Sequence, residues 1–347
     1  MTFSKWITLE DYKIYLTKFS DKEKSLYHSI EWINLLKNSF GVQIKAIATF
    51  NNNHKEILSL VPYVYDQKFF FNFYGSPLSG LFTLYMGPIF LKEIDTNIRV
   101  QILISQQELL EKKADYVELG ICKNLKLRDK VNENIYFKDY KYAVRPTYII
   151  DLKIGKDKVW ENFESRARNM IRKSIKLGVE IQSIKADKKW FLQFYNMLKC
   201  TYKKQKKDVP HPLKFYENLL SLDQKSILKC YSAFIDGKII ANAIFVVNGD
   251  TKLFLSGTSN STGMKLAANS FLQWHSIIDA IDHNLKHYDL GGLGLQNIDK
   301  FKKSFGGKMT YDHRWVYKSY LIKILEPIAR LMSLLRLFRL RIGRKVN

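Results

Sequence analysis

The sequence predicts an α+β fold in two halves of similar size, followed by a basic tail. Three observations carry this. Strand-like and helix-like segments are mixed along the whole chain rather than segregated. Hydrophobic residues make up 46% of the 347 residues, enough for a sizeable core. The charge balance also breaks near residue 150: 20 Lys+Arg stand against 16 Asp+Glu before it, and 36 against 17 after it. The expected units are 1–150, 151–319 and a tail, 320–347. No short repeat is visible, although the two halves could be two copies of one fold.

In the first half, residues 1–40 read as helical. Ile44–Thr49 and Ile57–Tyr65 form a hairpin pattern around Asn51-Asn52-Asn53. Phe69–Leu91 is uncharged and long enough to span a bilayer. It holds Asn72, Gly75, Pro77, Gly80, Gly87 and Pro88, which indicates buried strands and tight turns instead. Ile98–Lys113 has the spacing of an amphipathic helix, and strands are expected at Asp115–Leu119 and Arg145–Leu152.

The second half opens with a helix over Val159–Leu177, stopped by Gly178. Arg168, Arg172 and Lys176 lie at i, i+4 and i+8, a basic stripe able to grip phosphate or, alternatively, to face water. A helix over Trp190–Tyr202 runs into Lys203, Lys204, Lys206 and Lys207. Pro210-His211-Pro212 breaks it before a short helix through Phe215, Tyr216 and Leu219. Lysines beside a rigid turn and an aromatic make His211 and Tyr216 candidates for a pocket rim, or, for His211, a turn held by two prolines. Ile227–Ile235, Lys238–Val247 and Thr251–Gly257 read as a meander turning at Asp236-Gly237 and Asn248-Gly249-Asp250.

Leu266–Gly307 is the most informative stretch. A helix through Phe271, Trp274 and Ile278 leads to a short strand, His287–Leu290, carrying Asp289. Gly291-Gly292 then breaks the chain, and a short helix, Ile298–Phe305, follows. Ile298, Phe301 and Phe305 mark its packed face. Lys302 borders that face and Lys303 points toward water. A lysine edged by apolar groups acts strongly on a nearby anion, although it could equally snorkel over the packing. Ligands bind outside the carboxyl ends of strands in open α/β sheets, which places Asp289 and the glycine turn at a site. The histidines of this stretch form no metal-ligand set, and no metal is expected.

Three segments in order, Ser165–Ile181, Phe194–Leu220 and Tyr288–Gly307 (YDLGG…IDKFKKSFGG), resemble the FemAB-type acyltransferases. These are GNAT-like proteins that load amino acids or acyl groups onto amines. The resemblance implies two tandem GNAT-like domains around a central cleft. It also implies transfer to an amine of a phosphate-bearing cell-envelope precursor of peptidoglycan or surface polysaccharide. In that picture Lys302 stabilises the oxyanion or leaving group, and Asp289 orients the amine or Lys302. Arg168, Arg172, Lys204, His211, Tyr216, Gly291, Gly292 and Lys303 bind substrate. Many relatives carry an arginine three positions after the threonine; here Thr201 is followed by Lys204, which keeps charge but loses the bidentate fork. The coenzyme A pattern of ordinary GNAT enzymes, Q/R-x-x-G-x-G/A, is absent from the loop Thr258–Gly263, and the donor stays open between aminoacyl-tRNA and acyl-CoA.

The net charge of +23 points to an anionic partner: phosphate, nucleic acid or a membrane surface. Three cysteines without CxxC spacing and no signal-type N-terminus point to the cytoplasm. After Glu326 there is no acid, and Arg330, Arg336, Arg339, Arg341 and Arg344 interleave with apolar residues. That composition suits a helix lying on the anionic cytoplasmic face of the inner membrane. The competing reading is a nucleic-acid-binding or membrane-peripheral scaffold protein without catalysis.

Overall fold

A computed structural model describes residues 2–51, 56–91, 94–121, 137–294 and 296–327. Thirteen strands share one mixed sheet: β1 (Thr2–Ile7), β2 (Gln43–Asn51), β3 (Ile57–Lys68), β4 (Phe71–Ser76), β5 (Ile89–Phe90), β6 (Tyr116–Ile121), β7 (Lys141–Asp151), β8 (Glu180–Ile184), β9 (Leu228–Ile235), β10 (Lys238–Asn248), β11 (Thr251–Ser259), β12 (His287–Gly292) and β13 (Lys308–Lys318). Their order is β1-β2-β3-β4-β6-β13-β7-β12-β11-β10-β9-β8, with β5 beside β3. The order is two copies of one pattern laid end to end. In each copy an antiparallel meander is followed by a helical crossover into a parallel strand, β4 to β6 and β11 to β12.

The strand after each parallel strand crosses to the other copy. β7 follows β6 in the chain but pairs with β12, and β13 follows β12 but pairs with β6. β7 and β13 then pair with each other at the centre. The boundary expected near residue 150 therefore falls at the end of a strand whose two neighbours both come from the second half of the chain.

The helices are α1 (Leu9–Leu16), α2 (Ile30–Phe40), α3 (Thr96–Glu111), α4 (Lys156–Glu161), α5 (Ser165–Lys176), α6 (Lys188–Lys204), α7 (Leu213–Asn218), α8 (Ser261–Lys265), α9 (Ala268–Asp282) and α10 (Gln296–Lys303). The start of the chain is a strand before it is a helix, because Thr2–Ile7 pairs with the edge of β2. The single helix expected over 159–177 is two, broken at 162–164 where Phe163 turns into the core. The uncharged run 69–91 is β4, β5 and the turns between them. Among the described residues no helix is long and apolar enough to cross a membrane.

Side-chain alternation divides the core. One face of the first-half strands buries Ile47, Val61, Val117 and Trp315 beside α3. One face of the second-half strands buries Tyr148, Phe245, Tyr288 and Leu290 beside α5 and α9. The opposite faces of both ends meet in a third, shared core, where Trp32, Leu36 and Leu60 join Phe194, Phe215, Ile244 and Leu255. That shared face is apolar at the two ends of the sheet and polar in its middle.

Candidate active site

On the four central strands, the residues alternating with the buried apolar ones on the shared face are Glu118 (β6), Asp312 and Arg314 (β13), Thr147 (β7) and Asp289 (β12). All five are buried. Side-chain contacts join them in pairs: Thr147 donates to Asp289, Arg314 lies 3.6 Å from Glu118, and Arg145 opposes Asp312 across β7 and β13. A row of charged and hydroxyl groups thus runs across the middle of the sheet where the halves face each other. Sequence reasoning finds Asp289 in this row and misses the others. A signal is there: Val117-Glu118-Leu119-Gly120 and Tyr288-Asp289-Leu290-Gly291 are the same pattern at equivalent strands.

At the β12 end, the pairing of β11 with β12 reaches Leu253 opposite Asp289. Beyond it, Gly291 adopts φ 76°. A Cβ there would lie 2.9 Å from the Phe254 carbonyl and 3.5 Å from Lys302 Nζ, so only glycine lets the ammonium approach this turn unstrained. Asp289 is 7% exposed and accepts hydrogen bonds from the Thr147 hydroxyl (2.5 Å) and the Gly291 amide (2.8 Å). Lys302 is 6% exposed and donates to the Gly292 carbonyl at 2.8 Å. Burial pushes its pKa down to about 8, opposed by the nearby Asp289 and Asp299 carboxylates. Lys303 is exposed.

The first half reaches the same place. The Leu26 amide donates to Asn248 Oδ1 at 2.7 Å, and Asn248 donates to Tyr85 Oη at 3.2 Å, locking the 26–28 segment onto the β10–β11 turn. Burial, with Tyr85, Asp289 and Asp312 near it, holds the Tyr27 phenol far above its ordinary pKa, so it stays a hydroxyl donor.

Several expected binding residues are occupied elsewhere. Arg168 donates to the carbonyls of Glu161 (2.8 Å) and Phe163, closing the α4–α5 break, and Arg172 stacks its guanidinium over Trp160 at 5.5 Å. Lys204 is exposed at the end of α6; one turn earlier Thr201 meets Thr258 at 3.2 Å. His211 is buried against Phe82, ring centroids 3.9 Å apart, and burial lowers its pKa to about 4, so it is a neutral packing residue in the inter-half core. Tyr216 is buried beside it, with Ser256 of β11 as its hydroxyl partner. Gly292 is exposed and contributes its carbonyl. Ile298, expected on the packed face of the short helix, is 44% exposed; Phe301 and Phe305 pack there and Lys302 turns inward instead.

Along the cleft expected at Asp289, Gly291, Gly292 and Lys302, the acid and the lysine are buried and Gly292 is exposed. Two hollows on the first half, one around Lys18 and Leu91 and one around Lys45 and Lys113, do not border it. Among the described residues no group of His, Cys, Asp and Glu could hold a metal ion. A second buried lysine, Lys252, carries no signal in the sequence. It is saturated by Asp279 (2.5 Å), the Tyr231 hydroxyl (2.8 Å) and the Ser276 carbonyl (3.2 Å), which is a structural role. The tail arginines lie outside the described residues. Residues 320–327 are helical, so the chain is already in a helix before it reaches Pro327.

A model of the acetyltransferase (GNAT) domain matches residues 162–303. No curated protein matches the sequence. In fold, the chain is similar to FemX (TM-score 0.68, 14% identity, covering 93% of this chain and 99% of that one). It is also similar to L-PGS from Bacillus licheniformis (0.53, 10%, covering 94% and 97%) and to a tandem GNAT protein from the clavulanic acid biosynthesis pathway (0.52, 7%, covering 91% and 98%). These likenesses span both halves, whereas the domain match covers the half that holds Asp289 and Lys302. Residues 162–303 thus match a GNAT acetyltransferase domain, and the chain shares its fold with FemX over nearly its whole length.

Proposed function

We propose that the protein transfers an acyl or aminoacyl group to an amine of a phosphate-bearing cell-envelope precursor, of peptidoglycan or surface polysaccharide. The observation that carries this is the Lys302 ammonium, buried at the end of β12 within reach of the Gly291-Gly292 turn. The acceptor amine attacks the activated carbonyl carbon, and negative charge develops first on the carbonyl oxygen and then on the leaving group. A preorganised cation in a site that excludes water stabilises that charge without reorganising. Asp289, fixed by Thr147 and the Gly291 amide, holds the turn in shape and raises the charged fraction of Lys302. The FemAB-type fold and the basic second half support the phosphate-bearing acceptor.

For the donor, the turn between β11 and α8 is informative. The Gly263 amide is bonded to the Asn260 side chain (2.9 Å) and the Met264 amide to its carbonyl (3.0 Å). One of the otherwise free first-turn amides is therefore committed internally, which together with the missing Q/R-x-x-G-x-G/A pattern supports aminoacyl-tRNA over coenzyme A. The proposed location is the cytoplasm, at the cytoplasmic face of the membrane, supported by the tail composition. The test is mass spectrometry of envelope precursors from cells with and without the gene, alongside transfer by purified protein from each donor. The reading expects an acyl or aminoacyl increment on the precursor that disappears in Lys302→Met. Identical precursor masses, with no transfer from either donor, would leave the scaffold reading in its place.

A further inference from the structure

The hairpin β3–β4 turns through Phe69-Phe70, with Lys68 paired to Phe71. Two-residue hairpin turns are built from Asn, Asp and Gly, because the backbone must take positive φ. Here Phe69 sits at φ 57° and is 95% exposed, and Phe70 is 68% exposed. The Phe70 ring leans on Phe71, centroids 4.2 Å apart, while Phe69 at the tip stays exposed in a conformation phenylalanine rarely takes, so the turn breaks local rules for something outside the fold.

The same end of the sheet carries a second exposed apolar element. The Asp115 amide donates to Asn72 and the Ser319 amide to Asp115, so the starts of β4 and β6 and the end of β13 lie in one row. The helix 320–327 leaves from that row with Tyr320, Leu321, Ile324 and Leu325 exposed, an i, i+1, i+4, i+5 stripe. Lys68, Lys112, Lys113 and Lys323 belong to the segments meeting at this end and are exposed, Lys68 lying 3.6 Å from Asp66. In the sequence, residues 328–347 follow this helix and add five arginines, one lysine and no acid.

We propose that the Phe69-Phe70 turn inserts into the interface of an anionic lipid bilayer and, with the helix 320–327, forms the membrane-docking face of the protein. Aromatic rings seat at the headgroup level, and lysine stems lie along the apolar surface with their ammonium groups among lipid phosphates. Residue 310, level with Gly292 through Thr147, is eight residues along β13 from Lys318. The reacting turn thus stands about 25 Å from the docking face, room for a bulky headgroup whose amine is remote from its lipid. The inference extends the membrane location proposed above and is tested without any transfer reaction.

Full-length protein is mixed with vesicles of phosphatidylcholine, with or without phosphatidylglycerol, at low salt and sedimented. The parent is expected to bind the anionic vesicles. The double variant Phe69→Ser/Phe70→Ser, unchanged in thermal unfolding, is expected to bind about tenfold or more weakly. Emission of the Phe70→Trp variant is expected to shift to the blue on binding and to be quenched by brominated lipid, measured against the parent with its six native tryptophans. Undiminished vesicle binding by the double variant overturns the proposal. So does emission of the Phe70→Trp variant that vesicles move no more than they move the parent's. A parent that dimerises through this turn, with the double variant monomeric, overturns it in favour of a second copy.

Discussion

The ends of β6 and β12 are the same position in the two copies of the fold, and they are furnished in opposite ways. Over Gly120, at the end of β6, stands the backbone of the first half's own 77–88 loop: a Cβ on Gly87 would lie 1.9 Å from the Gly120 carbonyl. Glu118 is tied to the Ser79 amide and hydroxyl and to the Tyr116 hydroxyl (3.0 Å), and Arg314 donates to the Leu84 carbonyl (2.9 Å). Over Gly291, at the end of β12, the Phe254 carbonyl is joined by the ammonium of Lys302. The first position has turned its acid and cation into a lock for its own loop. The second keeps an acid shaping a turn and a desolvated cation beside it. A shared fold therefore does not give two sites, and what decides is which group lies over the glycine.

If the β6 end is a lock, breaking it costs stability rather than chemistry. Arg314→Met leaves Glu118 buried without its cation and is expected to lower unfolding free energy by about 3–5 kcal/mol, read by urea denaturation. Transfer per folded molecule should persist; a loss of rate well beyond the loss of folded protein would mean that the β6 end takes part in the reaction.

At the β12 end the effects are reversed. Lys302→Met is expected to lower the transfer rate about 10²–10³-fold without loss of stability. Burial depresses the Lys302 pKa from 10.5 to about 8. Between those values the unfolded chain binds more protons, so the parent's stability rises with pH there and the buried charge is a cost at neutral pH. Removing it should leave unfolding free energy equal or higher, and a large drop would make Lys302 a structural residue like Lys252. Lys303→Met, one residue away and exposed, should stay within about twofold of the parent. A large effect of Lys303 in the same assay would place the wrong lysine in the site.

Much of this contrast is legible in the sequence where local chemistry decides it. The glycine pair, the strand ending in Asp289 and the distinction between Lys302 and Lys303 follow from spacing alone. What spacing cannot convey is the exchange of β7 and β13, since strand partners are chosen by contacts between residues 130 or more positions apart. That exchange brings Thr147 to Asp289 and Arg314 to Glu118. The basic stripe of α5 misleads for a related reason: Arg168 has a helix break beside it to cap, which periodicity reads as continuous helix. His211 reads as a pocket rim because lysines and an aromatic flank its turn, but Phe82 of the other half packs onto its ring.

The central claim is that Lys302 acts as a charged group at the β12 end. The most direct measurement is the ratio of the parent transfer rate to the Lys302→Met rate on a soluble acceptor from pH 6 to 10, since the ratio cancels titration of the acceptor amine. With the Lys302 pKa near 8, the ratio is predicted to be large and flat below about pH 7 and to collapse as the ammonium loses its proton. A ratio that climbs through pH 8 would make Lys302 a base, and a ratio near one throughout would remove it from the reaction.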